Sequence, residues 1–261
     1  REIIDFAFKN NINNFDTAQS YGNSEEVLGK FLPKYPKAKI MTKFDNTKNA
    51  FHEKKDINIW ENNFQKSLKN LKTNKINSFL IHNSDDLKKN GKEILEDWLE
   101  SLLERNLVER LGISIYSASD LEKISLEKYG LIQMPISLYD QRLIKDKTCQ
   151  DLSSRNISIH ARSIFFQGLI FSNYEKWPSI ISDDFKSHHQ HFLGSLDKRS
   201  ILELTMNFIN NNNFIESALI GVTCLQELKE IINIKNKLKF IKKDFSDFAW
   251  NNNSDLDPRL W

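Results

Sequence analysis

Four side chains able to hold or move a proton fall at spaced points in the first third of the sequence: Asp16, Tyr21, Lys43 and His82. A free phenol has a pKa near 10 and releases its proton reluctantly at neutral pH. An ammonium beside it stabilises the phenolate and lowers that value. A carboxylate paired with the ammonium holds it in place and offsets the cost of burying it. Together these types suit proton delivery to an oxygen on which negative charge develops. Taken singly, Asp16 can cap a turn and Tyr21 can cover a loop. The repetition argues for more, because Asp16, Lys43 and His82 each end an apolar stretch that reads as a strand.

Those stretches are residues 12–16, 39–43 and 76–82. Tyr21 follows the first in a polar loop, with Gly22 to let the backbone turn and Ser24 as N-cap of a helix over 24–31 that stops before Pro33. Ile3, Ile4, Ala7 and Phe8 recur at helical spacing in residues 1–10. A polar loop over 45–56 precedes a helix over 57–71 with Trp60, Phe64, Leu68 and Leu71 on one face, and a further helix spans 92–105. Strands are expected at 108–116, 131–137, 157–163 and 217–221, with helices at 118–126, 146–154, 200–209 and from Phe245. Residues 173–197 show weak periodicity and carry His188, His189 and His191, which read as a solvated loop without a metal-ligand set. Strand and helix alternate throughout with no linker or repeat, so residues 1–261 read as a single domain. Side chains at the carboxyl ends of strands in such an order lie where α/β barrels keep their chemistry.

The chain's 261 residues suit one barrel of about 250. Its 37 basic and 35 acidic residues leave a formal charge of +2, which gives no footprint for nucleic acid. No apolar run reaches the roughly 18 residues that span a bilayer. The two cysteines, Cys149 and Cys224, show no paired spacing, so neither a disulfide framework nor a zinc site is indicated, in keeping with a reducing, cytoplasmic compartment.

The stretch Phe15-Asp-Thr-Ala-Gln-Ser-Tyr-Gly-Asn-Ser-Glu-Glu-Val-Leu-Gly29 resembles the aldo-keto reductase signature F-D-T-A-x-x-Y-G-x-S-E-x-x-L-G. Lys43 in Met-Thr-Lys-Phe and His82 in Phe-Leu-Ile-His-Asn match the remaining two catalytic positions. The resemblance runs from Arg1 to about Glu230. It implies a (β/α)8 TIM barrel. The family's first strand, with its Gly-Thr motif, has no counterpart here, so the sequence is expected to be N-terminally truncated and its barrel to lack that strand. The resemblance implies reduction of an aldehyde or ketone with NADPH or NADH. Tyr21 is then the proton donor, Lys43 and Asp16 lower its pKa, and His82 directs the carbonyl oxygen.

Further matches imply cofactor contacts. Ser114 and Gln133 fall where the family binds the nicotinamide carboxamide, although Ile115 replaces the usual Asn. Arg162 stands where many members stack a Tyr on the nicotinamide. Gly221, Thr223 and Gln226 resemble the adenosine-phosphate turn. Gln226 and Glu230 stand where members that prefer NADP carry Arg and Asn, which leaves the choice of cofactor open. The strand Ser158-Ile-His-Ala-Arg-Ser163 and the tail Asp257-Pro-Arg-Leu-Trp261 are similar to a bacterial subgroup linked to surface-glycan synthesis, which points to a sugar-derived carbonyl. A cofactor-binding sensor and a redox-neutral sugar-modifying enzyme stay open as alternatives. The sequence does not specify an oligomeric state.

Overall fold

The computed structural model describes residues 1–45, 47–241 and 243–261. By its internal contacts the chain falls into two compact units, residues 1–133 and 134–261.

In the first unit, helix α1 (Glu2–Lys9) leads to strand β1 (Asn14–Asp16), helix α2 (Ser24–Phe31) to β2 (Lys39–Phe44), and α3 (Asp56–Leu71) to β3 (Ile76–Ile81). Helix α4 (Lys92–Glu104) then leads to β4 (Val108–Ser114), and β5 (Leu131–Pro135) begins the crossing into the second unit. Each strand pairs in parallel with the next, with Asp16 opposite Met41, Lys43 opposite Leu80, and Ser114 opposite Gln133. Parallel strands covered by helices bury both faces, and β3 and β5 are apolar and buried for most of their length.

The core of this unit is aromatic. Phe44, Trp60, Phe64, Phe79 and Trp98 are nearly inaccessible and meet largely edge to face at centroid distances of 5.2–6.4 Å. Helices α2 and α3 touch through Gly29, where a Cβ would lie 1.9 Å from the Asn70 carbonyl oxygen. Only glycine permits that approach.

The expected helix over 118–126 is a 3-10 turn over Ala118–Leu121. Ser117 and Asp120 form a capping box, but Glu122 is extended and Lys123 takes a left-handed φ of 64°, which ends it.

In the second unit, short helices α5 (Arg142–Lys145) and α6 (Thr148–Ser154) precede β6 (Ser158–Arg162). Helices α7 (Asp183–Leu193) and α8 (Lys198–Asn210) precede β7 (Ile215–Ala218), and α9 (Leu225–Lys235) and the short α10 (Asn253–Leu256) follow. Strands β6 and β7 are parallel, with Ala161 opposite Ala218 and a register shift between Ile159 and His160.

The solvated-loop expectation for residues 173–197 is corrected by α7. Ser182 caps it by accepting the Phe185 N–H, Asp183 and Asp184 lie in its first turn, and His189 is buried. The Tyr139 hydroxyl and His189 Nδ1 share a hydrogen bond, and Phe166, Trp177, Phe185 and Trp250 surround the pair. Desolvation pushes the His189 imidazole down to about 4 and the Tyr139 phenol up, so both stay neutral. The expected helix from Phe245 is a 3-10 turn over Ser246–Phe248, and the Asn-rich stretch after it caps α10 through Asn252. Strands and helices alternate in the order of a (β/α)8 barrel, with seven parallel strands among the described residues.

Candidate active site

The loop after β1 is tied to β2 beyond the end of the strand. Thr17 N–H donates to Met41 O at 2.8 Å and Gln19 N–H to Lys43 O at 3.2 Å. The chain then turns through Tyr21, whose N–H reaches Ala18 O at 3.0 Å, and Gly22, whose φ of 57° suits a residue without Cβ. Thr17 Oγ1 donates to Ser24 Oγ at 2.8 Å, which closes the loop onto the start of α2. Glu25, buried in the first turn of α2, accepts the Thr42 hydroxyl at 2.8 Å and the Asn70 amide at 3.4 Å. The loop carrying Tyr21 is therefore fixed at both ends to the strand that carries Lys43.

Lys43 is 1% exposed. A buried ammonium is costly unless its donors are satisfied. Lys43 Nζ lies 2.7 and 2.6 Å from the two Asp16 carboxylate oxygens and 2.9 Å from Thr17 O. The Tyr21 ring lies over it, with its centroid 5.1 Å from Nζ. His82, directly after β3, meets the same ring edge to face at 5.6 Å, and its Nδ1 lies 3.3 Å from Ser20 Oγ. Tyr21 itself is 48% exposed. The phenol is open to a small molecule and to water, while the charges behind it are largely shielded.

Asp16, Tyr21, Lys43 and His82, separated by up to 66 positions, thus form one cluster at the carboxyl ends of β1–β3. Ser114 and Gln133 are both buried and opposite one another on β4 and β5. Gln133 Nε2 donates to Asp16 Oδ1 at 2.9 Å. That bond was not legible in sequence, nor were the Ser24 and Glu25 ties, because each joins different elements.

In the second unit, Arg162 ends β6, and its carbonyl accepts the Ile136 N–H at 3.2 Å. Gly221 lies in the turn before α9 with open space at its Cα. Thr223 and Gln226 are both engaged. Thr223 N–H and Oγ1 donate to Glu227 Oε2 at 2.7 and 3.0 Å, and Gln226 donates to Glu230 at 3.0 Å. The Thr223 backbone bond is the main reason the Glu227 carboxyl sits below its usual range. A half-buried carboxylate therefore already occupies donors that a phosphate would use.

Ser114 and Gln133 place a buried hydroxyl and amide beside the Tyr21 cluster, polar groups of the kind a nicotinamide carboxamide would need. At the turn, the Thr223 donors are taken by Glu227, and Gln226 and Glu230 carry no positive charge, although the Lys198 ammonium acts on the Glu227 carboxylate. Among the described residues no group of three or more His, Cys, Asp or Glu is arranged to hold a metal. Among them, too, no helix is long and apolar enough to cross a membrane.

The model of the Aldo/keto reductase family matches residues 1–249. The chain belongs to that family, whose members are oxidoreductases that use NAD(P)H to reduce carbonyls. Comparison with curated proteins gives no match. Among solved structures, aldo-keto reductase AKR11C1 from Bacillus halodurans, in its holo form, is similar with a TM-score of 0.75 at 17% identity, over 94% of this chain and 84% of that one. PA4992 from Pseudomonas aeruginosa, assigned to the aldo-keto reductases, is similar with a TM-score of 0.66 at 16% identity, over 90% of this chain and 79% of its own. At such identities the likeness shows the shared fold.

Proposed function

We propose that the protein reduces a small aldehyde or ketone, with a sugar-derived carbonyl as the substrate class, and that Tyr21 donates the proton. The observation that carries this reading is the buried Lys43 ammonium under the exposed Tyr21 ring, clamped by Asp16. When bound, the cofactor supplies the hydride to the carbonyl carbon. The π bond's electrons move to the oxygen, which takes the Tyr21 proton to give the alcohol. Lys43 stabilises the phenolate left behind, and Asp16 keeps that ammonium charged and aimed. His82, beside the phenol, orients the carbonyl oxygen. Half-exposed Tyr21 regains its proton from water.

The reading takes residues 1–261 as one catalytic domain. Ser114 and Gln133 bind the nicotinamide carboxamide in this reading, and Arg162 serves the ring. Gly221, Thr223 and Gln226 serve the adenosine end, with NADH preferred over NADPH because Glu227 is an anion at that turn.

The test is titration of the full-length protein with NADH and NADPH, followed by cofactor fluorescence, in the natural protein and in Tyr21→Phe. A panel of small aldehydes and sugar-derived carbonyls follows. Binding by both proteins with turnover only in the natural one is the expected result. Absence of binding for either cofactor overturns the reading.

A further inference from the structure

Gln133 holds a bond that its expected role toward the cofactor does not explain. It is 1% exposed on β5, and its Nε2 lies 2.9 Å from Asp16 Oδ1, the same oxygen that accepts Lys43 at 2.7 Å. The two residues are 117 positions apart, so the contact has no local origin. The ladder fixes the Gln133 backbone, since Ile115 N–H donates to its carbonyl at 2.9 Å. The side-chain orientation is fixed by chemistry. An ionised carboxylate only accepts, so the amide must turn its NH2 to Asp16 and its carbonyl oxygen away. Met41 Sδ, at 3.7 Å, offers the same NH2 a weak second acceptor.

We propose that Gln133 is a positioning residue for the proton donor, acting on Tyr21 through Asp16 and Lys43. The proposal rests on the reading of Tyr21 as that donor. The amide draws part of the Asp16 charge and fixes the carboxylate rotamer. Lys43 keeps its partner but is less completely neutralised by it. More of its positive field then reaches the Tyr21 ring 5.1 Å away, which favours the phenolate. Without the amide, the Asp16 carboxylate, already on Lys43 through both oxygens, brings its undivided charge to the ammonium, and the phenol holds its proton more tightly. Among the described residues, the titratable groups that the contacts place at this cluster are Asp16 on β1, Tyr21 on the loop that follows, Lys43 on β2 and His82 after β3; β4 and β5 contribute the neutral Ser114 and Gln133.

The experiment is an alkaline absorbance titration of the full-length, cofactor-free protein. The Tyr21 signal is isolated as the difference from Tyr21→Phe in each background, and folding is checked by circular dichroism. Gln133→Leu should raise the Tyr21 midpoint by about half to one pH unit. Gln133→Glu, close in shape, should raise it further by adding a second carboxylate, and it carries the test if the leucine variant does not fold. The alkaline limb of kcat/KM should move with the midpoint. A midpoint unchanged in folded Gln133→Leu and Gln133→Glu would overturn the proposal, even if cofactor affinity falls. The titration contains no cofactor, so its outcome stands apart from failure of the functional reading, which shows as absence of cofactor binding.

Discussion

The carboxyl ends of β1–β3 and the aromatic cluster around α7 solve one physical problem in opposite ways. Both put titratable side chains out of reach of water. In the first, Lys43 stays charged because Asp16 and the Thr17 carbonyl surround its ammonium. In the second, Tyr139 and His189 lie among aromatic rings, and desolvation keeps both neutral. A charge is maintained where an exposed phenol lies over it and suppressed where only packing is served. Burial of an ionisable group thus does not by itself mark a working site. The partner decides, together with an open face such as that of Tyr21.

The comparison can be broken at several points. The largest effect expected is from Tyr21→Phe, which removes the one hydroxyl that the charged region is arranged to serve. Carbonyl reduction should fall by roughly 10²–10⁴-fold with cofactor affinity retained, as steady-state rates and fluorescence titration would show. A fall of less than tenfold would mean that the charge serves stability alone. Next, Asp16→Ala leaves Lys43 buried without its anion. Stability should drop by about 3 kcal/mol, seen as a melting temperature lower by about 6–12 °C. An unchanged melting curve would show that water enters to solvate the ammonium.

The neutral region predicts a different signature. The His189 value lies at about 4, below the ordinary 6.5, so between those values the unfolded chain binds a proton that the native one does not. Its contribution is therefore full above pH 6.5 and lost as pH falls towards 4, by about 2–3 kcal/mol in urea unfolding. His189→Gln should flatten that slope relative to the natural protein. A slope identical in both would remove His189 from the account. The smallest effect concerns the turn before α9. Glu227→Gln should improve NADPH affinity by about 2–5-fold and leave NADH unchanged, measured by calorimetry. Equal gains for both cofactors would mean that Glu227 acts only as a helix cap.

The charged region was legible because its members sit at fixed offsets from strand ends. Phe15-Asp16 and Ile81-His82 each close an apolar run, and Gly22 with Ser24 marks the turn between strand and helix. The neutral region was hidden because α7 carries Lys186, His188, Gln190 and His191 around an apolar face of few residues. Its cap, Ser182 followed by two aspartates, was the available signal. The over-long helix expected at 118–126 ignored what Lys123 does after a capped turn. The bond from Gln133 to Asp16 has no trace in one sequence, since it depends on β5 and β1 facing the same interior across three intervening strands.

The two cysteines differ as sharply as the two regions. Cys149 is fully buried against Met134, and burial pushes its thiol up to about 12. Cys224 is exposed at the N-cap of α9, next to Thr223. A maleimide dye added to the folded protein should therefore attach at one place, the turn that Glu227 now occupies. The chain carries its own handle for watching that turn by fluorescence, with no engineered residue.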